Sequence, residues 1–148
     1  MKRLLLTFFL LGAVMSAFAE SPGIVTVPST FSVSETVQRL KDVAKEKNLT
    51  IFANIDFSHD AAQAGLSMNE AQLLIFGNPK GGTPIMQAVP LAALDLPLKI
   101  LTWQDGGGKV WISYNAPEYL RERYGLSEEL GKPLASIGDL VKKALQAD

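Results

Sequence analysis

The sequence predicts an α+β fold: a single domain in which a mostly antiparallel sheet is packed by helices. Three observations predict it. Two apolar strands flank the turn Asp105-Gly106-Gly107-Gly108, the best hairpin signal in the chain. Amphipathic helices with capping residues stand toward both ends. Between them, strands and helices mix without regular β-α alternation, which argues against a parallel sheet. A chain of 148 residues suits one domain, and no repeat, low-complexity tract or long linker divides it.

The first nineteen residues stand apart from this fold. Lys2 and Arg3 form a basic start, and Leu4 to Met15 is apolar except for Thr7 and Gly12. Ala17-Phe18-Ala19 then gives a small-x-small cleavage site before Glu20, Ser21 and Pro22. This is the plan of a secretory signal peptide cleaved after Ala19. The apolar stretch is short for a membrane anchor, which needs about 20 residues. The expected divisions are therefore a signal peptide, 1–19, and one domain, 20–148. The absence of cysteine excludes a lipid anchor at the cleavage site, and the mature protein is expected to be soluble and periplasmic, without stable membrane insertion.

Each element follows in order. Ile24-Val25-Thr26-Val27 reads as a strand ended by Pro28. Ser32-x-x-Glu35 is a capping box, after which Val33, Val37, Leu40 and Ala44 mark one helix face and Asn48 a left-handed stop. Residues 49–57 (LTIFANIDF) alternate, with Leu49, Ile51, Ala53, Ile55 and Phe57 to one side. His59 to Leu66 makes one or two helical turns closed by Gly65. Residues 72–76 (QLLIF) form a short strand and 77–82 a loop. Thr83 is the expected cap of a helix with Pro84 in its first position, kinked or divided at Pro90.

The hairpin strands are 98–104 and 109–114. Pairing Asp105 with Lys109 places Trp103 opposite Trp111, Ile100 opposite Tyr114 and Thr102 opposite Ile112. Residues 98, 100, 110, 112 and 114 then face the core and the tryptophans face away. Asn115-x-x-Glu118 caps a helix with Pro117 in its first turn, Tyr119, Leu120 and Tyr124 on its face and Gly125 as its stop. Ser136-x-x-Asp139 opens a last helix with Ile137, Leu140, Val141, Ala144 and Leu145 inward.

Composition restricts the chemistry. With no cysteine and one histidine there is no disulfide, thiol nucleophile, zinc-thiolate site or multi-histidine metal site within the chain. A net charge of −1, more acidic once Lys2 and Arg3 are removed, gives no electrostatic case for nucleic acid. No metal and no cofactor is expected.

Three features compete for a role. His59, beside Ser58 and Asp60 with Asp56 near, has the residue types of a general base with an orienting carboxylate. Sequence neighbours seldom converge as catalysis requires, however, so an exposed helix-start residue capped by Ser58 or Asp60 is preferred, and no catalytic residue is assigned. The string Gly77-Asn78-Pro79-Lys80-Gly81-Gly82-Thr83-Pro84 is the most distinctive. It is not a phosphate-binding P-loop, because the Lys-Ser/Thr after the last glycine is absent. Its glycines could expose a concave run of N–H groups before a helix, with Lys80 adding charge, to hold a carboxylate or phosphate. Turn chemistry alone explains every residue but Lys80. Trp103 and Trp111 are either an interaction surface or core, according to which sheet face is covered. Glu118, Arg121, Glu122 and Arg123 read as a solvated helix face.

Several strings together resemble the domain of unknown function 302 family over about residues 32–126. They are Thr36-x-x-x-Leu40, Asn54-Ile55-Asp56-Phe57-Ser58, residues 74–84 (LIFGNPKGGTP), Asp95-Leu96-Pro97-Leu98-Lys99, Val110-Trp111-x-Ser113-Tyr114-Asn115 and Tyr119-Leu120-x-x-Arg123. Many members carry a histidine directly after the aspartate matching Asp56. Phe57 stands there in this chain, so no role for that histidine carries over to His59. The resemblance implies an α+β fold similar to the TATA-binding-protein-like β-α-β4-α arrangement, often dimeric. It brings no activity, cofactor or catalytic set, and a fold likeness does not license DNA binding. The expected function is a non-enzymatic periplasmic binding or interaction module, forming a homodimer through its sheet. The alternative is a cofactor-free enzyme or small-anion binder centred on Gly77 to Pro84.

Overall fold

The computed structural model describes residues 21–146. The expected signal peptide, residues 1–19, lies outside the described residues. The domain is α+β, with one five-stranded antiparallel sheet in the order β1-β5-β4-β3-β2. Strands β2 to β5 form a meander, and β1 returns to pair with β5.

Strand β1 (Ile24–Ser29) runs through Pro28 rather than ending before it. Pro28 lies opposite Trp111 on an edge strand, where a missing N–H is tolerated. Helix α1 (Val33–Glu46) begins where the capping box places it: Ser32 Oγ accepts from the Glu35 N–H at 3.2 Å. Val33, Val37, Leu40 and Ala44 are buried as the spacing requires, joined by Thr36 and Val43. The buried hydroxyls of Ser29 and Thr36, 2.8 Å apart, fasten the end of β1 to α1. Asn48 is the one non-glycine residue with positive φ among the described residues, at 54°.

Strand β2 (Thr50–Asp56) departs from simple alternation. The register shifts between Ile51 and Ala53, so Phe52 sits in a bulge. Ile51 then pairs with buried Phe76, whereas Ala53 and Ile55 pair with half-buried Ile75 and Leu73 on the opposite face. The strand also ends one residue early. Asp56, not Ser58 or Asp60, caps helix α2 (Phe57–Gln63), and Phe57 belongs to that helix. Gly65, at φ +75°, stops the turn.

Strand β3 (Ala71–Gly77) leads directly into helix α3 (Pro79–Ala88). A single-turn 3-10 segment (Pro90–Leu94) follows, so Pro90 does divide two helical pieces. The hairpin strands β4 (Leu98–Gln104) and β5 (Val110–Asn115) have the predicted register, with Trp103 opposite Trp111 and Thr102 opposite Ile112. Leu98, Ile100, Val110 and Ile112 are buried; Tyr114 is half-buried against the core.

The C-terminal third differs in its caps. Helix α4 (Pro117–Arg123) is preceded by Ala116 with no side-chain cap, so Asn115 does not cap it. Ser127 caps an unforeseen short helix, α5 (Glu128–Gly131), through the Leu130 N–H. A 3-10 turn (Lys132–Ala135) joins α5 directly to helix α6 (Ser136–Ala144). Ser136 therefore continues a helical path instead of opening one, and its hydroxyl donates to the Pro133 carbonyl at 2.8 Å.

The core lies on one face of the sheet. Phe76, Leu74, Ile100 and Ile112 meet Leu40 of α1, Ile85 of α3, Leu120 of α4 and Ile137 and Leu140 of α6. Each fully buried aliphatic or phenyl group contributes roughly 1.5–3 kcal/mol of transfer free energy. Arg39 joins α1 to α6: its guanidinium donates to the carbonyls of Ala144 at 2.9 Å and Gln146 at 2.5 Å, where the C-terminal end of α6 is negative.

Candidate functional site

The site is built where β3 passes into α3. Residues 77–82, expected as a loop, are helical from Pro79 onward. Asn78 is the N-cap and Pro79 the first helical residue, a pairing that suits proline because its missing N–H has no intrahelical partner there. Thr83 is consequently inside the helix and not its cap, and Pro84 also lies within it. The Asn78 side-chain oxygen accepts from the Lys80 N–H at 2.9 Å. The N–H groups of Gly81 and Gly82 both reach the Asn78 carbonyl, each at 2.9 Å. The alternative of an anion cradle finds no free donors at Lys80, Gly81 and Gly82, whose N–H groups are engaged in the first helical turn. Lys80 is exposed and does not line the adjoining cavity.

That cavity has a volume of about 270 Å³. Gly77, Asn78, Pro79, Gly81, Gly82 and Thr83 line one side, continued along α3 by Ile85 and Met86. Leu96, Pro97 and Leu98 approach from the segment entering β4, with the Leu96–Pro97 peptide bond cis. Leu49 and Phe52 lie on the β2 side, and Pro133, Leu134 and Ser136 close the rest. Phe52 is half-exposed, which places it at the mouth. Gly81 has a clear steric role: a Cβ there would come within 3.0 Å of the Pro133 Cβ, so the glycine allows α3 to approach the 3-10 turn.

No side chain lining the cavity titrates near neutrality. The polar groups are those of Asn78, Thr83 and Ser136, and the Ser136 hydroxyl is already spent on Pro133. The arrangement can hold a molecule, and the lining places no acid or base beside the Thr83 and Ser136 hydroxyls. Two of the strings that carried the family resemblance, 74–84 and 95–99, converge on this one cavity.

Trp103 and Trp111 lie on the opposite face of the sheet. Their ring centroids are 6.4 Å apart, with 26° between planes. Both are half-buried, between the two outcomes expected for them. Trp103 Nε1 donates to Ser113 Oγ at 3.0 Å and Trp111 Nε1 to Asp105 Oδ2 at 2.8 Å. Lys109 Nζ sits 4.1 Å from the Trp111 ring centroid. The Asp105 carboxylate also accepts from the N–H groups of Gly107 and Lys109. These bonds, that from Trp111 foremost, hold its pKa below the ordinary value.

His59 is exposed at the start of α2 and does not line the cavity. The Asp56 carboxyl is held low by the Ser58 hydroxyl first and the His59 backbone N–H second, a capping arrangement and not a base with its orienter. No cluster of potential metal ligands occurs among the described residues.

One cluster went unrecognised in the sequence. Tyr124 donates to Asp95 Oδ2 at 2.5 Å, Arg123 Nε lies 3.4 Å from the same oxygen, and Arg123 Nη1 donates to the Tyr119 hydroxyl at 2.7 Å. The bond to Asp95 raises the Tyr124 pKa above its ordinary value. This cluster ties α4 to the end of the 3-10 segment. Tyr119 and Arg123 were visible at helical spacing, but Asp95, far away in sequence, gave no signal as their partner.

The family model described as "Domain of unknown function DUF302" matches residues 25–147. The chain belongs to the DUF302 family. The crystal structure of an uncharacterised conserved DUF302 protein from Bacillus stearothermophilus is similar, with a TM-score of 0.69 and 20% identity. The match covers 84% of this chain and 97% of that one. At that identity the likeness concerns the fold. Curated relatives named fluoride-specific ion channel FluC 1, from Brucella suis and Brucella abortus, are 43% identical over 104 residues. Those matches take in 70% of this chain but only 41% and 38% of the relatives, so the DUF302 chain spans about two fifths of their length. No helix among the described residues is long and apolar enough to cross a membrane.

Proposed function

We propose that this DUF302 protein is exported to the periplasm by cleavage after Ala19 and acts there as a non-enzymatic module binding a small molecule in the cavity beside α3. The observation that carries this reading is the half-open cavity of about 270 Å³ bounded by Gly77 to Pro79, Gly81 to Thr83 and the apolar residues facing them, with no ionisable group in the lining. A cofactor-free enzyme at the same place would need an acid or base to activate the Thr83 or Ser136 hydroxyl, and the lining has neither. The homodimer belongs to the same proposal. Ile55, Leu73 and Leu101, with the tryptophans, give the sheet face away from the core an apolar surface suited to a second copy. Native mass spectrometry of the protein taken from its own cell envelope tests the proposal. The expected species lacks the first nineteen residues, is dimeric and retains a small noncovalent ligand. A full-length monomer without any ligand would refute it.

A second reading is favoured by the fluoride-channel relatives, which include a stretch similar to this chain within a longer protein. In that reading the module serves beside a membrane ion channel. Deletion of the protein should then raise fluoride sensitivity, and unchanged growth in fluoride would remove the reading.

A further inference from the structure

The chemistry of the cavity can be carried further, on the reading that it binds a small molecule. We propose that its ligand is an uncharged, mainly apolar molecule with one hydrogen-bond-accepting group, held at that end by the Asn78 amide and the Thr83 hydroxyl. Three observations converge. The first is size. An apolar cavity of about 150 Å³ accommodates benzene, and pockets for drug-sized ligands start near roughly 300 Å³. A cavity of about 270 Å³ therefore suits one or two fused rings or a short acyl chain.

Charge is the second. Neither an acidic nor a basic side chain lines the space, and the nearby ammonium of Lys80 is not part of it. A charged group seated among Ile85, Leu96 and Leu134 would have no counter-charge, and the N–H groups of Lys80, Gly81 and Gly82 are bonded to Asn78 and not open to an anion. The third concerns polarity. Asn78 uses its side-chain oxygen on the Lys80 N–H, which leaves the amide N–H groups to donate. Thr83, on the same helix, adds a hydroxyl to the lining, while that of Ser136 is committed to Pro133. The polar end of the ligand therefore lies toward Asn78 and Thr83, and its apolar body toward Ile85, Leu96 and Leu134.

The experiment is a fluorescence titration of the purified protein with N-phenyl-1-naphthylamine, an uncharged apolar probe. Competition by neutral 1-naphthol is compared with competition by anionic 1-naphthoate. The probe should bind, and naphthol should displace it about tenfold better or more, because the charged analogue loses hydration without compensation. Gly82→Leu places a side chain in the cavity at a position where a Cβ meets only Met86 Cε at 3.9 Å. It should weaken the probe about tenfold or more, as leucine occupies space that ligand atoms would fill. Phe52→Ala at the half-exposed mouth is the second variant and should weaken the probe without disturbing the core. Lys80→Ala should leave binding unchanged.

Preferential binding of naphthoate, lost in Lys80→Ala, would overturn the uncharged class while leaving a binding module standing. No saturable probe or competitor binding by the wild-type chain would overturn both. Binding by the wild type that persists in folded Gly82→Leu and Phe52→Ala would place the probe elsewhere, on the sheet face for example, and overturn the assignment to this cavity.

Discussion

Gly81 and Gly82 are adjacent in α3, yet alanine should have opposite effects at the two positions. In a helix, alanine is favoured over glycine by about 0.5–1 kcal/mol, because glycine loses more backbone freedom on folding. At Gly82 the new Cβ meets only Met86 Cε, at 3.9 Å, so that gain is kept. At Gly81 the Cβ would stand 3.0 Å from the Cβ and 3.5 Å from the Cγ of Pro133. A proline ring cannot rotate out of the way; it moves only with the 3-10 turn that joins α5 to α6. Overpacking of this kind costs typically 1–3 kcal/mol, which outweighs the propensity gain. Gly82→Ala should therefore stabilise the domain by about 0.5–1 kcal/mol, and Gly81→Ala should destabilise it by about 1 kcal/mol, a separation of several degrees in Tm. Urea unfolding followed by far-ultraviolet circular dichroism measures both, with equal m-values confirming that only stability has changed. If Gly81→Ala is as stable as Gly82→Ala, the close approach to Pro133 is not what requires glycine at position 81.

Three further perturbations have defined outcomes. Thr102 is fully buried and its hydroxyl has no hydrogen-bond partner, so Thr102→Val should be neutral or stabilising by up to about 1 kcal/mol in the same unfolding assay. Arg39→Ala removes two bonds from a charged donor to the end of α6 and should cost about 1–2 kcal/mol, with Arg39→Lys between it and the wild type by thermal unfolding. Asp105 has a lowered pKa in the folded protein, so its contribution is complete above the unfolded carboxylate value near pH 4 and is lost as pH falls through the lowered folded value. Tryptophan emission should accordingly shift to the red on acidification through that lower range, and Asp105→Asn should flatten this transition.

The elements best seen in the sequence are those whose stabilising contacts are local. The cap at Ser32 and the spacing Val33, Val37, Leu40 and Ala44 contain α1 almost entirely. The turn at Asp105 fixes the hairpin register, and with it the Trp103–Trp111 pair. The bulge at Phe52 was not legible, since nothing within residues 49–57 says that two residues will oppose one on β3. Helix α3 was misjudged because two start signals overlap: Asn78-Pro79 and Thr83-Pro84 both place a proline after a capping residue. The first prevails, and both Gly81 and Gly82 are helical despite their poor propensity; at Gly81 the close approach to Pro133 rewards a missing Cβ, whereas Gly82 has no such neighbour. The candidate site was half legible. Gly77 to Thr83 stood out as a string, but Phe52, Leu96 to Leu98 and Pro133 to Ser136 join it only through folding. Their arrival changes the chemistry from an exposed anion cradle to an apolar cavity.

The two outer strands of the sheet have a consequence for how copies of the chain can meet. An exposed strand edge is a template on which another chain can extend the ladder, and unguarded edges lead to open-ended fibres. On β1 the ladder contains Pro28, which has no N–H to offer a newcomer. At the other rim, β2 is kinked at Phe52 and its repeat is out of step. Both rims thus resist strand addition by different means. Growth of the sheet from copy to copy is discouraged at each end, and a stable pair would have to form face to face, an arrangement that closes on itself after two copies.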